Sequence, residues 1–375
     1  MKLLHQLEVM TTSINSNSSE PVLISGFRED FLSAQSFRGT DRNKIVAGAY
    51  EVAILAVSWD RRCLSLAQAT AWSAKRGVLI VQSIVDPEGL CEDHKKRLQQ
   101  LLHERCETLE IINGPEAGFD GVWDCLYAIG VEEAKRKSNP SVFLLDLSAM
   151  SRYYSTGLLA MIVRLGLAAR TDCFYAEGRY DAKHAVGEVV FSGGKWRRKA
   201  VPFLDGHSNP SLGWYYVVAA GFDGKWIKKI LLQEEPDRVG ILVPIPGVAR
   251  AYEQRCLDEI EPIIKEFIVP PEFITRAHAG DAVEAWQKLT ALNHERWEHE
   301  QIAYLCCGTK PHAVAMALRA LVHRFPAVLY FLPEKYAVIP VEETGVFWRY
   351  SIVDHSSLSF EPSLGLNADL GTRPA

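Results

Sequence analysis

The chain has 375 residues, of which 48% are hydrophobic and 23% charged, and its formal net charge is −5. That composition is ordinary for a globular protein, the length suits two domains rather than one, and the acidic balance gives no general pull toward nucleic acid or an anionic membrane. The eight cysteines contain no CxxC pair and no zinc-ribbon spacing, so they read as thiols of a reducing compartment, and neither a metal site nor a cofactor is expected.

Residues 1–35 are expected to be a disordered N-terminal segment, because Thr11 to Glu20 is polar and rich in Ser and Asn. The first ten residues lack the apolar centre of a signal peptide, and no apolar run reaches bilayer length. The expected location is therefore cytoplasmic, with no membrane partner. Val52 to Val57 is a continuous branched apolar run, the pattern of a strand buried on both faces. Leu64 to Lys75 has helical composition. Strands follow at Val78–Val81, Leu109–Ile112, Val142–Leu145 and Cys173–Ala176. Helical patterns lie at His94–Cys106, Asp120–Lys137 and Tyr153–Ala169. Strands alternating with amphipathic helices predict a parallel sheet with right-handed crossovers.

The order then recurs. Val239–Val243, Ile302–Cys306 and Val328–Phe331 read as strands. Tyr252–Phe267, Asp281–Glu298 and Ala313–His323 read as helices, and Trp214–Phe222 is open between helix and strand. Trp123 and Leu126 match Trp286 and Leu289, and the endings Glu177-x-x-Tyr180 and Glu334-x-Tyr336 follow matching aromatic strands. Each half closes on short β-type sequence, Glu188–Phe191 with Trp196 onward, and Gly345–Ile352. The predicted fold is α/β: two tandem Rossmann-like parallel-sheet units, each ending in short β-hairpin elements. The first half is placed at 36–205, the second at 206–360 and a tail at 361–375. The boundary falls where Pro, Gly, Asp, His and Asn cluster from Pro202 to Pro210.

In open parallel sheets ligands bind beyond the carboxyl ends of the strands, so the loops there carry the candidate site. Gly308-Thr309-Lys310-Pro311 offers close backbone approach, a hydroxyl, an ammonium and a helix start, a combination that suits a phosphate. It is not a Walker loop, since GxxxxGK[ST] is absent. At the equivalent place in the first half, Asp146, Ser148 and Arg152 supply a carboxylate, a hydroxyl and a guanidinium. After the first strand, Ser58-Trp59-Asp60-Arg61-Arg62 puts an aromatic beside two cations, with Asp60 and Arg61 taken as the site residues. Its counterpart is taken as Pro246–Arg250, which keeps Gly247 and Arg250. His294-Glu295-Arg296-Trp297-Glu298-His299 misses HExxH spacing by one residue. Lys195–Lys199 and Lys225–Lys229 are basic runs around a tryptophan, read as solvated faces. No nucleophile elbow, GxGxxG or Cys–His arrangement is present. Catalytic residues are therefore not assigned.

A buried strand, then Gly308-Thr309-Lys310-Pro311, then a helix rich in Ala, Met and Leu resembles the CRISPR-associated Rossmann-fold sensor domains, which bind cyclic oligoadenylates. The tandem arrangement looks like the fused double version found in bacterial cyclic-nucleotide immunity effectors. The resemblance covers most of residues 239–350, and the first half only through the internal repeat, where Asp146-Leu147-Ser148 replaces the Gly-Thr-Lys element. It implies a nucleotide-sensing or adaptor protein of an antiphage defence system, binding a nucleotide-type small ligand and acting with a partner protein from the same operon. Homodimerisation stays open. Two alternatives are a metal-independent phosphodiesterase that cleaves a cyclic oligonucleotide and a structural subunit of a defence complex.

Overall fold

The run Val52–Val57 forms the C-terminal part of a strand, β3 (Gly48–Val57), and none of its side chains is more than 3% exposed. The structure, a computed structural model, describes residues 20–82, 89–135, 141–180, 192–207, 209, 211–293, 299–323, 326–337 and 339–356. β3 is flanked by β4 (Trp72–Val81) and β6 (Val142–Asp146). β5 (Cys106–Asn113) and β7 (Arg170–Tyr180) extend the sheet on either side, all five parallel. Continuous apolar strands suit this position because helices cover both faces of a parallel sheet. The crossovers include α3 (Leu90–His103), α4 (Gly114–Lys135) and α5 (Arg152–Arg164).

The second unit repeats the plan. β9 (Gly213–Ala219), β10 (Arg238–Pro244), β11 (Ile274–Ala277), β12 (Glu300–Leu305) and β13 (Ala327–Tyr336) form a parallel set in the order β11-β10-β9-β12-β13. That order is the image of β5-β4-β3-β6-β7. The connecting helices are α6 (Gly224–Glu234), α7 (Arg250–Glu266), α8 (Ala282–Asn293) and α9 (Lys310–His323). The two Rossmann-like units expected from the repeat are thus present, and Trp214–Phe222 resolves as strand β9 and the loop after it. The pairing of loops shifts, however. β9, not β10, is the counterpart of β3, so Ser58–Arg62 corresponds to 220–223 and not to Pro246–Arg250.

Three further expectations are corrected. The helix expected at Leu64–Lys75 is a 3-10 turn (Arg61–Leu64), one α-turn, α2 (Ser65–Gln68), and the start of β4. Trp72 and Ala74 are buried while Ser73 and Lys75 are exposed, a period of two that composition alone hid. The segment expected to be disordered to residue 35 contains a hairpin, β1 (Val22–Glu29) and β2 (Leu32–Gly39), and a short helix, α1 (Arg42–Val46), follows. Leu32, Ala34 and Ser36 bury one face of β2 by the same alternation. Residues 1–19, 181–191 and the tail from 357 lie outside the described residues.

The third correction concerns the boundary. β8 (Ser192–Ala200), which follows β7 in the chain, pairs antiparallel with β13 of the second sheet. β14 (Val341–Asp354), which follows β13, pairs antiparallel with β7 of the first and carries β2 and β1 beyond it. Each unit thus lends its closing strand to the other, and sheet membership departs from the 36–205 and 206–360 division at both ends. The units also share a core. Every residue from Tyr153 to Val163 on α5 and from Pro311 to Val322 on α9 is buried, and one apolar cluster runs through both sheets. The Arg164 guanidinium on α5 donates to the Ala320 carbonyl on α9 at 3.3 Å. No helix among the described residues is long and apolar enough to cross a membrane.

Candidate functional site

The strand order reverses between β3 and β6 in one sheet and between β9 and β12 in the other. The loops after these four strands converge on one cavity of about 400 Å³ between the units. Its wall takes Asp60 and Arg62 from the loop after β3, Arg152 from that after β6, Phe222 from that after β9, and Gly308, Thr309 and Lys310 from that after β12.

α5 and α9 both begin at this cavity. Ser151 caps α5, its hydroxyl accepting from the Tyr154 N–H at 3.3 Å, and Gln82 accepts from the Ser151 N–H at 3.0 Å. Thr309 does the same for α9: its hydroxyl accepts from His312 N–H at 3.3 Å and its carbonyl from Ala313 N–H at 3.1 Å. Two helix N-termini, each with a positive dipole end, therefore face one space. Glycine is required at 308, because a Cβ there would stand 2.4 Å from the Ala220 carbonyl oxygen.

Three cations gather at the helix starts. Arg152 donates to the Gly308 carbonyl, which ties the first unit's loop to the second's. The Lys310 ammonium donates to the Ser148 carbonyl at 2.5 Å, the reciprocal tie. Burial, joined by repulsion from Arg62 and Arg152, pushes Lys310 down to about 7 against the attraction of Asp60 and Asp146. The Arg62 guanidinium is held by Asp60, at 2.5 Å from Nη2 to Oδ2 and 3.1 Å from Nε, and also donates to the Ala176 carbonyl at 3.2 Å. Burial works to raise the Asp60 carboxyl, but Arg62 outweighs it and holds the group below the usual carboxylate range.

Aromatic side chains complete the wall. Tyr180, Phe222 and Tyr252 form a trio with ring centroids 5.6–6.2 Å apart. Tyr252 donates its hydroxyl hydrogen to the Tyr180 carbonyl at 2.7 Å across the unit boundary. Such a lining, with a few convergent polar groups, is the usual make-up of a small-ligand site, and its volume lies in the usual range.

The structure brings Asp60, Arg152, Gly247, Gly308, Thr309 and Lys310 together at the cavity. Asp146 and Ser148 are at the same place but beneath the surface, 2% and 0% exposed, and do not line it. Asp146 accepts from the Ser148 N–H at 2.8 Å, and the Ser148 hydroxyl accepts from the Ala176 N–H at 2.9 Å, so both shape the loop that Lys310 grips. Burial pushes the Asp146 carboxyl up to about 7. Arg61 and Arg250 point to solvent and are not cavity residues. Of the two adjacent arginines the sequence favours Arg61, whereas it is Arg62 that lines the cavity. The signal was the Asp60 cap, whose side chain accepts from the Arg62 N–H and turns that arginine, not its neighbour, inward. Glu177 lines the cavity and is fixed by hydrogen bonds it accepts from the Thr344 hydroxyl at 3.0 Å and the Trp348 indole at 3.3 Å. Glu334 is exposed and accepts from the Lys195 N–H at 3.0 Å. The His294–Glu298 stretch lies outside the described residues.

No protein-family model and no curated protein matches this chain. Among solved structures it is similar to a functionally unknown protein, PA1789, from Pseudomonas aeruginosa PAO1, at 9% identity and a TM-score of 0.22, over 76% of this chain and 93% of that one.

Proposed function

We propose that the cleft between the units binds a phosphate-bearing nucleotide, and that the protein serves as a nucleotide sensor or adaptor. The observation that carries this reading is the meeting of two helix N-termini and three cations, Arg62, Arg152 and Lys310, in one aromatic-walled cavity. The dipole ends and charges suit phosphate, and the tyrosine and phenylalanine rings suit a base. The pseudo-symmetric contribution of one helix start per unit suits a ligand with two phosphates. The resemblance of the Gly308–Pro311 loop to cyclic-oligoadenylate sensors extends the proposal to a cyclic oligonucleotide and to antiphage defence with a partner protein. Isothermal titration against cyclic and linear nucleotides tests it. Binding of at least one member, weakened in Arg152→Ala, is expected, and a folded protein that binds none of them refutes it.

One observation favours a catalytic variant of this reading. Lys310, which lines the cavity, is pushed down to about 7, and a group poised near neutral pH transfers protons well. A ribose 2′-hydroxyl would attack the adjacent phosphorus, the neutral Lys310 amine taking the hydroxyl proton and passing it to the departing 5′-oxygen, so that the P–O5′ bond breaks as the 2′,3′-cyclic phosphate forms. Thr309 would orient the phosphate. Incubation with labelled cyclic tetra-adenylate in EDTA distinguishes the two, because a pure sensor returns the ligand intact.

A further inference from the structure

The two walls of the cavity share one plan but not one chemistry. Asp146 and Leu305 end β6 and β12, and they pair with Phe174 on β7 and Leu329 on β13. Counting on from those pairs, Tyr175 matches Tyr330 and Glu177 matches Leu332, and all four line the cavity. The loop after β3 contributes Arg62, whereas its counterpart, 220–223, holds no cation, and its one charged residue, Asp223, is an acid. The cations gather at the first unit's end. Gly178, next to Glu177, packs so closely on Arg62 that a Cβ there would stand 2.5 Å from Nη1. Lys310 belongs to the second unit, yet its ammonium reaches across to the Ser148 carbonyl. The charged groups acting on it are Arg62, Asp60, Arg152 and Asp146, all of the first unit. The other end is apolar. Pro333 stands opposite Trp196 where β13 pairs with β8, and Tyr330 packs on Tyr153 with ring centroids 5.8 Å apart.

We infer that the cleft takes one linear nucleotide in a single orientation: a nucleoside diphosphate with its phosphates at Arg62, Arg152 and Lys310 and its base against Tyr330, Leu332 and Pro333. The inference rests on the nucleotide reading of the cleft and narrows it to a ligand with unlike ends. Phosphate needs donors and positive charge, which the first end supplies, while at the second end Asp223 repels it. A base needs apolar area. Leu332 supplies it where a residue like Glu177 would set a carboxylate against the ring. A ring of identical nucleotides would offer the same groups to both walls, and one wall would meet the wrong ones. The volume agrees with this choice. About 400 Å³ is near the lower end of the roughly 300–1,000 Å³ usual for ligand sites, which is room for a single nucleotide.

Titration calorimetry on the full chain with ADP, GDP, CDP, UDP, inorganic pyrophosphate and cyclic di-AMP tests this. At least one nucleoside diphosphate should bind about ten- to a hundredfold more tightly than pyrophosphate, the worth of seating a base, and more tightly than the cyclic ring. Leu332→Glu gives the second wall the first wall's residue at a half-buried position. It should remove the advantage of the base while pyrophosphate binds as in wild type, whereas Arg152→Ala should weaken both. The wild-type comparison decides the matter even where Leu332→Glu does not fold. Three outcomes overturn the inference and leave the nucleotide reading standing: cyclic di-AMP that binds more tightly than every diphosphate, diphosphates that bind no more tightly than pyrophosphate, or a folded Leu332→Glu that weakens pyrophosphate as much as the diphosphate. A folded protein that binds no nucleotide at all refutes both.

Discussion

Raising the pH should weaken ligand binding in the cleft, and Lys310 should be the cause. Burial and the two nearby guanidiniums bring its ammonium from the usual 10.5 to about 7. A phosphate needs the charged form, so above pH 7 binding must first put a proton back on the amine. Well above pH 7 each pH unit costs about 1.4 kcal/mol, a factor of about ten, and because the amine is already half deprotonated at pH 7, affinity should fall roughly fifteenfold between pH 7 and about pH 8.5. In the free protein the same shift makes folding stability rise from about pH 7 toward 10.5, where only the unfolded chain still holds the proton. Titration calorimetry with the tightest-binding nucleotide, in buffers of differing ionisation enthalpy, counts the protons directly. Uptake should approach one per ligand at about pH 8.5 and vanish near pH 6. Lys310→Met should bind more weakly at low pH and show no slope. Asp146→Asn, by removing a neighbouring carboxyl, should move the onset to lower pH without abolishing it. Constant affinity from about pH 6 to 8.5, or an unchanged slope in Lys310→Met, would refute the placement of a phosphate beside this amine.

Arg152→Ala should cost about ten- to a hundredfold in nucleotide affinity, the worth of a charge-assisted hydrogen bond of roughly 1.5–3 kcal/mol, while Arg61→Ala and Arg250→Ala leave the calorimetric curve unchanged. Asp281, 1% exposed, accepts from the hydroxyls of Ser25 at 2.9 Å and Ser36 at 2.6 Å and from the Val283 and Glu284 N–H groups at the start of α8. Asp281→Ala should lower stability by about 2–4 kcal/mol in urea titrations, through the lost cap and the orphaned hydroxyls. For Glu29, burial is outweighed by hydrogen bonds from His323 and Arg319, which bring its carboxyl down to about 2. That stability is present above the unfolded value near 4.5 and lost as pH falls toward 2, so Glu29→Gln should flatten the acid limb of the pH–stability profile by up to about 3 kcal/mol.

The strands were legible because burial on both faces leaves no room for polar residues, as in Val52–Val57 and Val239–Val243. The Gly308–Pro311 loop was legible because glycine, a hydroxyl, a cation and a helix start occur together there. Arg61 and Arg62 could not be told apart, since neighbouring arginines differ only in the direction a 3-10 turn gives them. The match of β3 to β10 instead of β9 arose because Gly213–Ala219 is aromatic where its counterpart is aliphatic. The exchange of β8 and β14 left no mark, because a strand's own sequence does not say which sheet it joins.

That exchange has a mechanical consequence. Cutting the chain between Pro202 and Pro210 would not release two folding units, since each would leave its closing strand behind in the other and bare the rim of β7 or β13. The molecule is clasped like two hands with interlocked fingers. The exchanged strands thereby tie together the two units whose residues form the walls of the cavity.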